Sequence, residues 1–412
     1  MTKEAGSVNP GRGERRQWVR GVAAAVCIVG LSAVGVSLNS TLSEAAVPQD
    51  PCTGVSPSGS SGWCGLYSGN ATSSITEMGV VSVYPDQVPA SSICQPDPSA
   101  VIAALPAGGT FHGNGCYTVP YGIRITKPVT IDGGTYVDAT GTLNPALPSN
   151  GIYPVIDVWE TNNVTLENLH VIGANTAGGY HGKLAEQDGI RTLSSNKVTI
   201  SNVTTVNTYG DGLQFWAIPQ HGPTTDVSVS NVTITQAGRQ GVTMGDVFGA
   251  NLANVNVVSS QNSSLDAESD LRNIGMGNVI IHNFSGHVFN LINFLTGPVT
   301  FTDCTMSRLT IGSQASQQPI TVRGGSLTIP YGMQGYPAAG ITQVGGNVTL
   351  TGVNFIRRLY AGKYEVPPPP DGPNWQVTQG GRLTLVHTSI PIGPVGTNDA
   401  TSVVTVFPAQ SK

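Results

Sequence analysis

The chain has 412 residues, enough for two ordinary domains or for one repeat domain. Only 10% of the residues are charged and the net charge is a mild −5, which excludes the basic stripe that nucleic acid requires. Glycine is abundant at 52 residues, Lys and Glu are sparse, and Val, Thr, Ile, Asn and Ser dominate, as expected for many short strands joined by tight turns.

Residues 1–46 read as an export signal. Arg15 and Arg16 precede the apolar run 21–38, and residues 43–45 offer small side chains for cleavage. The pair is similar to a twin-arginine signal, although Glu14 precedes it. As a retained anchor the apolar run is barely long enough to span a bilayer. The expectation is a secreted or cell-envelope protein with no stable membrane insertion after cleavage.

Residues 47–97, rich in Ser, Gly and Pro, read as an irregular arm held by disulfides. Cys52, Cys64, Cys94 and Cys116 pair most simply as Cys52–Cys64 and Cys94–Cys116, with three pairings open. Cys27 would leave with the signal. Cys304, in a position that elsewhere holds Val203 and Val232, is expected to be a free buried thiol.

Residues 98–412 form the third segment. A short amphipathic helix starts at Pro98 and is ended by Pro106 and Gly108. Phe111 to Val119 reads as a first strand pair. A phrase then recurs, as in Asn163-Val-Thr-Leu-Glu-Asn, Lys197-Val-Thr-Ile-Ser-Asn, Asp226-Val-Ser-Val-Ser-Asn and Asn278-Val-Ile-Ile-His-Asn. Its aligned starts are Val129, Val164, Val198, Val227, Ala250, Val279, Val299, Ile320, Val348 and Leu383. Irregular spacing argues against a propeller and for a parallel β-helix with loops of free length. Asn168, Asn202, Asn231 and Asn254 fall at one sharp turn, where Asn tolerates a left-handed backbone. The N-x-S/T sequons at Asn163, Asn202, Asn231 and Asn347 are therefore read as structural. Insertions fall at 173–187 and 217–225, and a stiff proline-rich loop lies near 366–373.

The recurring V-T-I-x-N-V phrase, leading to a D-G-I/L strand, resembles the right-handed parallel β-helix, or pectin-lyase-like, superfamily over residues 98–355. The resemblance implies an all-β solenoid of about ten coils with an N-terminal helical cap. It also implies an activity or binding function directed at an extended polysaccharide or cell-envelope glycan. The polygalacturonase motifs of that superfamily are absent.

Chemistry is expected where the repeat stops being interchangeable. The third strands place Asp157, Arg191, Gln214, Thr243 and Asp266 on one outward row, with Trp159, Trp216 and Glu268 two residues further on. Asp188, Asp211 and Arg239 stand just before these strands, about 4.8 Å apart per coil. Glycoside hydrolysis needs a protonated acid and a second carboxylate. Asp211 is the expected general acid, with Asp188 or Asp266 as base, Glu268 in the same cluster, and Arg239 and Arg191 holding carboxylates or binding substrate. Asp157, Trp159, His181, Arg191, Tyr209, Gln214 and Trp216 complete the expected substrate-binding set. Asp-Gly before a strand is also a turn signal, so Asp188 and Asp211 have a purely structural alternative. No cofactor is expected for a hydrolase; a lyase or epimerase would use Ca²⁺ on the acidic run 266–270. A non-catalytic glycan-binding envelope protein would keep the tryptophans without needing the acids.

Overall fold

A computed structural model describes residues 94–138, 153–218, 221–267, 275–292, 295–312, 318–329, 339–357, 373–390 and 396–408. All of them belong to the compact unit Ser82–Lys412. The expected export signal, the arm up to residue 93 with Cys52 and Cys64, Glu268, and the proline-rich loop up to residue 372 lie outside the described residues.

The unit is a parallel β-helix. One short helix, Ser99–Ala104, precedes a long series of strands of two to eleven residues, most of them at the short end. One sheet carries 11 of the described strands, from Ile123–Ile125 to Thr397–Asn398, each paired in parallel with its equivalent in the next coil. The other faces of the coil merge into a second, 21-stranded sheet. Long strands such as Asn196–Val206 run across a bend in this sheet and pair on both sides of it.

All ten expected starts stack in register, from Val129 through Val164 and Val198 to Val348 and Leu383. Two further coils appear, one pairing Gly109 with Val129 and one pairing Leu383 with Val404. The two-residue period sends Leu166, Ile200, Val229, Leu252, Ile281 and Phe301 into the interior, where all are fully buried. Phe284, Phe289 and Phe301 stack through three strands, with centroids 5.0 and 5.8 Å apart. Cys304 fills the next place in the column above Phe284, free and buried, and burial pushes its thiol up to about 11.

The sharp turn carries the expected asparagine column, and the side chains are bonded to one another. Asn168 Nδ2 donates to Asp132 Oδ1 at 2.8 Å. Asn202 donates to Asn168, Asn231 to Asn202, Asn254 to Asn231 and Asn283 to Asn254, at 2.8–3.2 Å. The five asparagines have φ between 49° and 60°, a conformation that costs most residues energy and asparagine little. The Asn168 amide holds Asp132 below its ordinary pKa.

The N-terminal end is closed by the helix. Ile102 enters the core, and Lys127 donates from Nζ to the carbonyls of Ala103 and Leu105, satisfying the helix end. The disulfide Cys94–Cys116 ties the segment before the helix to the first coil, as expected. At the other end the last strand, Val403–Phe407, has Val406 still 46% exposed on the core-facing side. Among the described residues no helix is long and apolar enough to cross a membrane.

Candidate functional site

The 11-stranded sheet sets the site. Ile156, Ile190, Leu213, Val242 and Leu265 stack inward and are buried. Arg124, Asp157, Arg191, Gln214, Thr243 and Asp266 form the opposite row in register. The expected row is therefore present, but it is not an open face, because Asp157, Gln214, Thr243 and Asp266 are all buried. Asp157 lies between two guanidinium groups. Arg191 donates to it from Nε at 3.1 Å and Arg124 approaches from the previous coil at 3.0 Å. Arg124 also stacks over the Trp159 ring, 4.3 Å from its centroid. Burial alone would lower the Arg191 pKa; Asp157, with Asp188 and Glu186, offsets that and holds it above its ordinary value.

Before these strands the chain makes tight turns through Asp188-Gly189, Asp211-Gly212 and Gln240-Gly241, and the carboxyls sit inside them. Asp188 and Asp211 are both fully buried. Asp188 Oδ1 accepts the backbone N–H of Asp211 at 2.7 Å, while its Oδ2 has no hydrogen-bond partner. Burial, then repulsion from Asp211 and Glu186, push the Asp188 pKa well above the ordinary carboxylate range. Asp211 takes both arms of Arg239, each at 2.8 Å, and the backbone N–H of Gln240 at 3.0 Å. Gln240 donates in turn to Asp266 and accepts from Thr243. Asp188, Asp211, Gln240 and Asp266 thus form one chain of hydrogen bonds across four coils.

The two aspartates have unlike surroundings. The pKa of Asp188 is raised because burial, Asp211 and Glu186 all oppose its charge, and it has a single donor, the Asp211 N–H. Asp211, expected as the general acid, is engaged at both oxygens by Arg239 and has no exposed surface. Arg239 holds a carboxylate, as expected of it.

The aromatic set is less gathered. His181 meets Tyr209 edge to face at 5.2 Å, beside the Asp211 turn. Trp159 and Trp216 occupy the same column two coils apart, and the Trp216 indole lies against Gly245, leaving no room there for a side chain. His221 stands 3.5 Å from Glu160, next to Trp159.

Three participants have no place in the repeat pattern. Arg124 belongs to the coil before the acidic ones and carries no Asp-Gly signal. Glu186 and Tyr180 lie in the 173–187 insertion, where no periodicity points to them. The side chain of Glu186 is 53% exposed and 3.8 Å from Arg191. Among the described residues no group of three or more His, Cys, Asp or Glu side chains is arranged to hold a metal ion.

No protein-family model and no curated protein matches the chain. Among solved structures it is similar to the catalytic domain of a GH87 α-1,3-glucanase, at 11% identity and a TM-score of 0.48. That match covers 72% of this chain and 63% of the glucanase domain. It is similar to the A-module of the mannuronan C-5 epimerase AlgE4 of Azotobacter vinelandii (12% identity, TM-score 0.42, 73% of this chain and 94% of that one). It is also similar to the surface protein and adhesin PfbA of Streptococcus pneumoniae (11%, 0.41, 74% and 93%). The activities in those names belong to those proteins. What the stacked parallel strands establish for this chain is its fold, a parallel β-helix.

Proposed function

We propose that the protein is an exported glycan-active enzyme, a glycoside hydrolase acting on an extended polysaccharide. The observation that carries this reading is the Asp188–Asp211 pair. Two neighbouring carboxyls have environments that divide acid from base, one buried with a raised pKa and one paired with arginine. Hydrolysis needs that division. The glycosidic C–O bond breaks as the leaving oxygen takes a proton from the neutral acid. Water adds its oxygen to the anomeric carbon and gives its proton to a carboxylate. Asp188 is the proton-holding group in this scheme and, being fully buried, it reaches substrate only when the site opens locally. The Cys94–Cys116 disulfide supports an extracytoplasmic location, where such bonds persist. The mildly acidic chain favours a neutral glycan over a polyuronate.

The test is a panel of polysaccharides incubated with wild type and Asp188→Asn. New reducing ends without ultraviolet-absorbing products, lost by about 100-fold or more in the variant, support hydrolysis. Unsaturated products would instead indicate a lyase, with its Ca²⁺ requirement. A second reading, a glycan-binding envelope protein without catalysis, is favoured by one observation: Asp157, Asp188, Asp211 and Asp266 are buried while Trp159 and Trp216 keep partial exposure. Binding without product release, unaffected by Asp188→Asn, would establish that reading.

A further inference from the structure

The 173–187 insertion presents chemistry to solvent beside the buried strand-turn acids. Its stem is fixed. Asn175, fully buried, donates to the carbonyls of Gly179 and Thr208, and Gln236, two coils away, donates to the carbonyls of Asn175 and Thr176. Its far end is fixed by Leu184 and Ala185, which are buried, and by the Gly210 N–H bonded to the Gln187 carbonyl at 2.9 Å. Between these anchors, Gly178 and Gly179 (φ 68° and 93°) turn the chain so that Tyr180 stands 56% exposed. Two successive turns, Leu184 N–H to His181 and Gln187 N–H to Leu184, then bring Glu186 back beside Arg191.

We propose that this insertion is the ligand-facing wall of the site, with Tyr180 as a platform for a pyranose ring and Glu186 as acceptor for its hydroxyls. The proposal rests on the glycan reading above. A carboxylate anchored on both sides by buried residues and steadied by a guanidinium is well placed to accept hydrogen bonds from vicinal hydroxyls. An exposed tyrosine on a pinned loop offers an apolar face with little rotamer entropy to lose. The acids in the strand turns, fully enclosed, do not make this first contact. Glu186 and Tyr180 are therefore specificity residues, and the strand-turn acids lie behind them.

The experiment is calorimetric titration of gluco-, manno-, xylo- and galacto-oligosaccharides into wild type, Glu186→Gln, Tyr180→Ala and, as control, Glu167→Gln from another face, with reducing ends assayed in the same samples. Expected are losses of about tenfold or more in affinity for Glu186→Gln and Tyr180→Ala, with unchanged unfolding midpoints and wild-type binding by the control. Wild-type affinity in both variants would overturn the proposal while leaving the glycan reading intact. If wild type binds sugars but releases no reducing ends, hydrolysis fails and the wall is judged on affinity alone. If wild type neither binds nor cleaves any of them, both readings fall.

Discussion

A carboxyl group with no exposed surface, one donor and two negative neighbours has its pKa raised, and Asp188 is such a group. The sign of its effect on stability follows. Its folded pKa lies above its unfolded value, so the unfolded chain gives up the proton first as pH rises. Stability from this group is fully present at pH below the ordinary aspartate range and declines from there towards the raised folded value. Asp188→Asn keeps the acceptor for the Asp211 N–H and removes the titration. Urea unfolding from pH 4 to 8 should show the variant gaining on wild type as pH rises; a constant difference would contradict this. Arg239 poses the converse case. Arg239→Ala leaves the Asp211 carboxylate buried without its fork, at a cost of about 3–5 kcal/mol. Urea midpoints should show most of that loss recovered in the Arg239→Ala, Asp211→Asn double variant.

At the scale of the coil, two energies meet in the ladder asparagines Asn168, Asn202, Asn231 and Asn254, a left-handed backbone and a side-chain bond in each direction. Asn231 donates to Asn202 and accepts from Asn254 at φ 54°. Asn231→Ala loses both bonds and adds backbone strain of about 1–2 kcal/mol. Asn231→Gly loses the bonds alone, so the alanine variant should unfold at lower urea than the glycine variant. Equal midpoints would mean that the backbone conformation is not maintained without the side chain. The same column explains how much of the fold could be read from the sequence. Ten coil starts were legible because Val-Thr-Ile and Asn recur with the two-residue period and the turn. The coil beginning at Gly109 lacks that phrase and shows in the sequence only as the strand pair Phe111 to Val119, and the coil at Val404 carries no such signal. For the site, period two placed Asp157 and Asp266 outward correctly. Their burial depends on partners from other coils, such as Arg124 and Arg191 around Asp157, 33 and 34 residues away. Glu186 escaped notice because an insertion has no period to depart from.

Taken whole, the β-helix has unlike ends. The first coil is covered by the helix Ser99–Ala104, capped by Lys127 and tied by Cys94–Cys116 across 22 residues. Closing a loop of that length is worth about 3 kcal/mol through the unfolded chain. Reduction should lower the urea midpoint, and hydrogen exchange should rise first in Gly109–His112 and Cys116–Thr118 while the strands around Asp188 keep their protection. Uniform loss of protection would show that the coils unfold as one unit.

The asparagine column has a direction. Asp132 can only accept, so Asn168 must donate to it, and every later amide is set the same way. Each coil from Asn168 to Asn254 therefore carries a plug on one side and a socket on the other. A coil copied within the gene fits between any two of its neighbours and restores both bonds; half a coil leaves one of each unmatched. Growth by complete turns within the ladder therefore preserves the bonding at this corner.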